Sequence, residues 1–180
     1  MLRLLFSYSH KDEALRNELE THLALLRREG VIASWHDRRI AAGDEFDRAI
    51  GAELEAADIV LLLVSASFLA SDYCFEKEMK RVLEKHAART VVVIPVILHP
   101  CDWQSAPFGH LRATPTDGKP ISMFANQHEA FAIVARDVRE VATRLAGAAA
   151  PPRPPAAPER HDLGVALEPR PRSSNLRGFC

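Results

Sequence analysis

Three acidic side chains, Glu76, Glu78 and Glu84, stand close together in the segment SASFLASDYCFEKEMKRVLEKH at 65–86. Helical spacing gives them different surroundings. Lys80 lies at i+4 from Glu76 and at i−4 from Glu84, the arrangement of solvated ion pairs worth about a few tenths of a kcal/mol. Glu78 has Cys74, Phe75 and Val82 at i−4, i−3 and i+4, with Arg81 its one opposite charge a turn further on. A carboxylate partly desolvated beside an aromatic ring has its pKa pushed upward and can stabilise developing positive charge or hold a proton. Taken alone, a surface Glu78 paired with Arg81 is the commoner fate of such a residue.

A second cluster is WHDRRIAAGDEF at 35–46. Adjacent Arg38 and Arg39 can grip phosphate through paired N–H donors, while Trp35 or Tyr73 can stack a base. The plainer reading is a solvated loop with Trp35 packed as core and Gly43 making a turn. Other reactive types are less eloquent. Ser65 and Ser67 have no G-x-S-x-G elbow around them and read as helix and turn caps. Cys74 has no evident His partner and reads as a small buried hydrophobe. No histidine stands at metal-ligand spacing from another His or a Cys on one helix face, so no metal is assigned.

These side chains need a scaffold, and the sequence proposes one. Apolar runs near 2–8, 31–36, 59–65, 90–98 and, weakly, 120–124 read as strands, alternating with segments of helical period. Pro95 inside the fourth run predicts a bulge or an unpaired stretch there. Leu15, Leu19, Leu23 and Leu26 form one helical stripe; Phe46, Ile50 and Leu54 another; and Phe131, Val134, Val138, Val141 and Leu145 a third. Asp44, Ser71 with Asp72, and Asn126 stand where helix caps belong. The alternation predicts an α/β fold, a flavodoxin-like five-stranded parallel sheet with helices on both faces. Such sheets bind ligands beyond the carboxyl ends of their strands, where Ser7, Tyr8, Ser9, Asp37, Ser65, Cys101 and Trp103 fall.

The chain has 180 residues, 47% of them hydrophobic, enough for one core. Its 23 basic and 24 acidic groups leave a net charge of −1, without the excess that draws a protein onto nucleic acid or an anionic membrane. Seven of the 12 prolines lie in the last thirty residues beside five Arg. A folded domain is therefore expected over 1–146 and a disordered Pro/Arg-rich linker or tail over 147–180. Three widely spaced cysteines make no disulfide framework, and no apolar run is long enough for a signal sequence or a membrane span. A cytoplasmic protein is expected, with no membrane partner and no specific nucleic acid. Clustered acids of a phosphoacceptor site, a G-x-G-x-x-G fingerprint and a phosphate loop are all missing from the sequence.

Four blocks carry a resemblance: FSYSHKDE at 6–13, WHDRRIAAGDEFDRAI at 35–50, ADIVLLLVSASFLASDYCFEKEM at 57–79 and VIPVILHPCDWQSAPFG at 93–109. In this order, over residues 1–146, they closely resemble a bacterial Toll/interleukin-1 receptor (TIR) domain. The resemblance implies a flavodoxin-like fold and, as in many members, cleavage of the nicotinamide–ribose bond of NAD+, by hydrolysis or cyclisation. It implies that Glu78 is catalytic, on the helix after the third strand and just beyond Tyr73-Cys74. The family pattern has Trp-Cys with the Glu three residues past Cys. Here Lys77 takes that place and Glu78 lies four past, which leaves Glu76 as the rival.

By the same resemblance, Ser7, Tyr8, Ser9, Trp35, Asp37, Arg38, Arg39, Ser65, Tyr73 and Cys74 surround the dinucleotide. NAD+ is then a substrate, and no separate cofactor is implied. The loop around Gly43 matches the family's BB loop, which mediates TIR–TIR self-association. A bacterial antiphage role is the expectation, with a non-enzymatic adaptor as the alternative. Since TIR domains are commonly joined to a sensor or effector, either that partner is a separate protein or the chain is truncated.

Overall fold

A computed structural model describes residues 1–35, 46–71 and 79–149, with the backbone alone described at 34, 35, 46–50 and 149. Four parallel strands form one sheet: β1 (Leu2–Ser7), β2 (Ile32–Trp35), β3 (Ile59–Val64) and β4 (Val92–Ile97), in the order β2-β1-β3-β4. The helices are α1 (Glu13–His22), α2 (Ala24–Arg28), α3 (Phe46–Ala56), α4 (Ala66–Leu69), α5 (Met79–Ala87) and α6 (Gln127–Ala149). Leu4 is level with Ile59, and Ile59 with Val92, so adjacent strands end close together.

β3 is apolar at every position because both of its faces are covered, and all six residues are fully buried. Successive side chains point to opposite sides of a strand. Ile59, Leu61 and Leu63 therefore join the core formed with Leu19, Leu23 and Leu26 and with Phe131, Val134 and Val138 of α6. Val60, Leu62 and Val64 join the other, with Leu54 of α3, Phe68 of α4 and Met79 and Val82 of α5. The stripe from Leu15 to Leu26 is carried by two consecutive helices joined at Leu23, which serves as the last cap of one and the first of the next.

A fifth strand at 120–124 does not form. Those residues make a 3-10 turn, Ile121–Met123, with Ile121 buried. The position beyond β4 is reached instead by Thr114, which makes one parallel bridge to Val96. Its N–H donates to Pro95 O at 2.9 Å and its carbonyl accepts from Ile97 N at 2.9 Å. The ladder stops there because the chain turns away into a 3-10 turn at Thr116–Gly118. Pro95 introduces no bulge: its register opposite Leu62 is unbroken. Its carbonyl faces Thr114, so the missing N–H falls on the outer edge. Beside that edge lies a cleft of about 270 Å³, lined by residues including Val92, Ile94, Thr114, Asp137 and Arg144.

Two helix ends are fixed by side chains, of which the sequence marks Asn126. Asn126 Oδ1 accepts from His128 N at 3.0 Å and caps α6. On α5, Arg81 Nε donates to Glu55 and Lys85 Nζ donates to the carbonyls of Leu54 (3.0 Å) and Glu55 (2.7 Å). Those carbonyls belong to the last turn of α3, where cations complement both the unpaired acceptors and the helix dipole. α6 continues through Gly147 to Ala149, and the compact unit is Met1–Ala149.

Candidate functional site

The carboxyl ends of β1 and β3 lie side by side, with Ser7 level with Leu62. Chain leaving β1 turns at once into a 3-10 turn, His10–Asp12, started by Ser9, whose carbonyl accepts from Asp12 N at 2.8 Å. That turn carries Asp12 inward, where it is 6% exposed. Ser65, leaving β3, is 2% exposed and serves two partners. Its hydroxyl accepts from Phe68 N at 3.0 Å, capping α4, and donates to Asp12 Oδ2 at 2.5 Å. The capping role predicted for Ser65 is therefore present, joined to a contact with a buried carboxylate.

Asp12 and Arg16 are the residues that inspection of the sequence missed. Arg16 is 1% exposed, although it belongs to a type that is almost never buried unless paired. Its Nη1 donates to Glu20 at 2.8 Å, and its guanidinium carbon lies 5.2 Å from the centre of the Tyr8 ring. Nε and Nη2 have no hydrogen-bond partner among the described residues. The signal was available: positions 16, 19, 23 and 26 share one helical stripe, so Arg16 stands on the face that buries the leucines.

After β4, Cys101 is half-buried. Burial pushes its thiol pKa up, and the negative charges of Asp102 and Asp12 push it further. The field of Asp12 thus reaches the loops after β1, β3 and β4 alike. The rim offers one buried carboxylate, hydroxyls at Ser7, Ser9 and Ser65, and a protonated thiol. That set can position a polar ligand, while the Ser65 hydroxyl is committed to Asp12 and to the α4 cap.

Of the residues singled out from sequence, Ser7, Tyr8, Ser9 and Ser65 are brought together at this rim. Tyr8, 8% exposed, packs into the core on the α1 side of the sheet. Only the backbone of Trp35 is described, at the end of β2. Asp37, Arg38, Arg39, Gly43, Asp44, Asp72, Tyr73, Cys74, Glu76, Glu78 and the tail from 150 onward lie outside the described residues, while 147–149 of the expected tail continue α6.

A parallel sheet covered on both faces, with its polar residues gathered at the strand ends, is the architecture of a TIR domain, and the TIR domain family model matches residues 5–133. The chain belongs to the TIR domain family. Over 185 aligned residues it is 51% identical to the uncharacterized protein y4lF of Sinorhizobium fredii (strain NBRC 101917 / NGR234), covering 98% of this chain and 55% of that protein. The chain thus spans about half the length of this curated relative. Among solved structures it is similar to the TIR domain of the Toll-related receptor TRR-2 from Hydra magnipapillata. That match has a TM-score of 0.51 and 18% identity, over 82% of this chain and 97% of the other. This likeness speaks to the fold alone.

Proposed function

We propose that this TIR domain cleaves the bond between nicotinamide and ribose in NAD+, with Glu78 as the catalytic carboxylate. The observation that carries the reading is the position of α5. This helix follows β3 and α4, and its first described residue, Met79, is next in sequence after Glu78. Two details support the choice. Met79 and Val82 are both 1% exposed, so the first described turn of α5 presents an apolar face to the core. Arg81, the opposite charge nearest to Glu78 in sequence, sends its Nε to Glu55 of α3.

The chemistry asks for one well-placed negative charge. Nicotinamide in NAD+ is cationic and departs as a neutral base, while positive charge develops on the ribose. A carboxylate that accepts hydrogen bonds from the ribose hydroxyls stabilises that charge most where water is excluded. Attack by water then yields ADP-ribose, and attack by an atom of the bound nucleotide yields a cyclic product. Under this reading NAD+ is the substrate, the protein acts in the bacterial cytoplasm in antiphage signalling, and self-association activates it. The curated relative is likewise a bacterial protein.

The test is release of nicotinamide from NAD+ by the purified chain, followed by chromatography. Glu78→Gln is isosteric and should lower turnover at least about a hundredfold, consistent with loss of about 3 kcal/mol of transition-state stabilisation. Glu76→Gln should retain it, and circular dichroism should show both variants folded. Substantial turnover in folded Glu78→Gln would move the role to another residue. No nicotinamide at any protein concentration would leave the non-enzymatic adaptor.

A further inference from the structure

We propose that Glu18, His22 and His128 form a zinc site that bridges α1 and α6. Glu18 and His22 are one turn apart on α1, and His128 projects from the first turn of α6. His22 Nε2 lies 3.2 Å from His128 Nδ1, Glu18 Oε1 lies 3.3 Å from His128 Nδ1, and Glu18 Oε1 lies 3.6 Å from His22 Nε2. The three potential donor atoms form one small triangle.

The triangle has the size of one face of a tetrahedron around zinc. Zinc bonds to imidazole nitrogen and carboxylate oxygen of about 2.0–2.2 Å require donor-to-donor edges of about 3.3–3.6 Å in tetrahedral geometry. An octahedral ion with similar bonds requires edges of about 2.8–3.1 Å. Two nitrogens and one oxygen also suit zinc by type, where calcium or magnesium takes oxygen alone. Three protein ligands leave a fourth position for water, and the 70% exposure of the His128 side chain puts that position within reach of solvent.

The donors are held from behind. The His22 ring stacks on the buried ring of Phe131, with centroids 5.4 Å apart and planes 26° apart. His128 is fixed through its backbone by the Asn126 cap. The positive end of the α6 dipole opposes a cation here, and the Glu18 carboxylate offsets it. His22 lies ten residues beyond Asp12, roughly 15 Å along the helical chain at 1.5 Å per residue. The zinc site is thus separate from the rim at the strand ends and does not depend on the proposed NAD+ chemistry.

The test is zinc binding by the full chain. Protein loaded with zinc and dialysed against metal-free buffer should retain about one zinc per chain by elemental analysis. Cobalt in its place should give the intense visible absorption of a tetrahedral ion. His128→Asn, chosen because that side chain is exposed, should weaken binding at least about tenfold and abolish the cobalt spectrum while leaving the metal-free thermal melt unchanged. His22→Gln should also lose the metal. A wild-type chain that retains no zinc, or variants that bind as tightly as wild type, would overturn the proposal and leave a hydrogen-bonded histidine pair.

Discussion

Ser65 illustrates how one small side chain can carry two elements. Its oxygen receives Phe68 N while its proton goes to Asp12, so the start of α4 and the turn after β1 share a single atom. Ser65→Ala removes a cap and leaves a buried carboxylate without that donor, and it should destabilise the domain by about 2–3 kcal/mol. Urea denaturation measures this, and a loss within about 0.5 kcal/mol of zero would show that the contact contributes little. The serine's capping role was legible because β-to-α junctions favour such residues. Its partner was not, because Asp12 lies 53 positions away in sequence and no local pattern joins them. His128 was hidden in the same way: Glu18 and His22 show the i+4 spacing of a helix face, but their neighbour on α6 is 106 residues from His22.

Helices and strands were easier to read than side-chain partnerships, since their signals are periodic and local. The leucine stripe identified the buried face of the first helical segment, while the change of helix at Leu23 left no mark on the apolar period. The run Ile121–Met123 looked strand-like because short apolar segments are ambiguous, and it folds instead as a 3-10 turn entered from Pro120. Between α3 and α5 the contact is electrostatic. The Arg81 hydrogen bond holds the exposed Glu55 carboxyl below its ordinary pKa of 4.5 against the opposing effect of desolvation, with help from the charges of Lys85 and Arg81. A lowered carboxylate pKa stabilises the fold above the unfolded value and withdraws that stabilisation as pH falls through the folded one. Glu55→Gln should therefore lower stability slightly at neutral pH, by an amount kept small because the exposed pair is solvent-screened, and flatten the acid limb of the stability–pH curve below about pH 4.5, where wild type loses the same contribution. Thermal melts of both proteins between pH 3 and 7 provide the comparison, and parallel curves would dismiss the effect.

For the molecule as a whole, the proposed activation by self-association makes a prediction of its own. Turnover of NAD+ per chain should rise with protein concentration if active sites are completed between copies, because assembly shifts populations by mass action. A constant specific activity across a hundredfold dilution series would mean that each chain works alone. Within one chain, β3 has a comparable unifying role. Three of its side chains belong to one half of the interior and three to the other. Each helical layer packs on three alternate residues of this one strand, so stripping away either layer bares one face of the strand that supports the other. The strand is therefore expected to tie the two halves into one cooperative unfolding transition, with coincident loss of signal from both faces on denaturation.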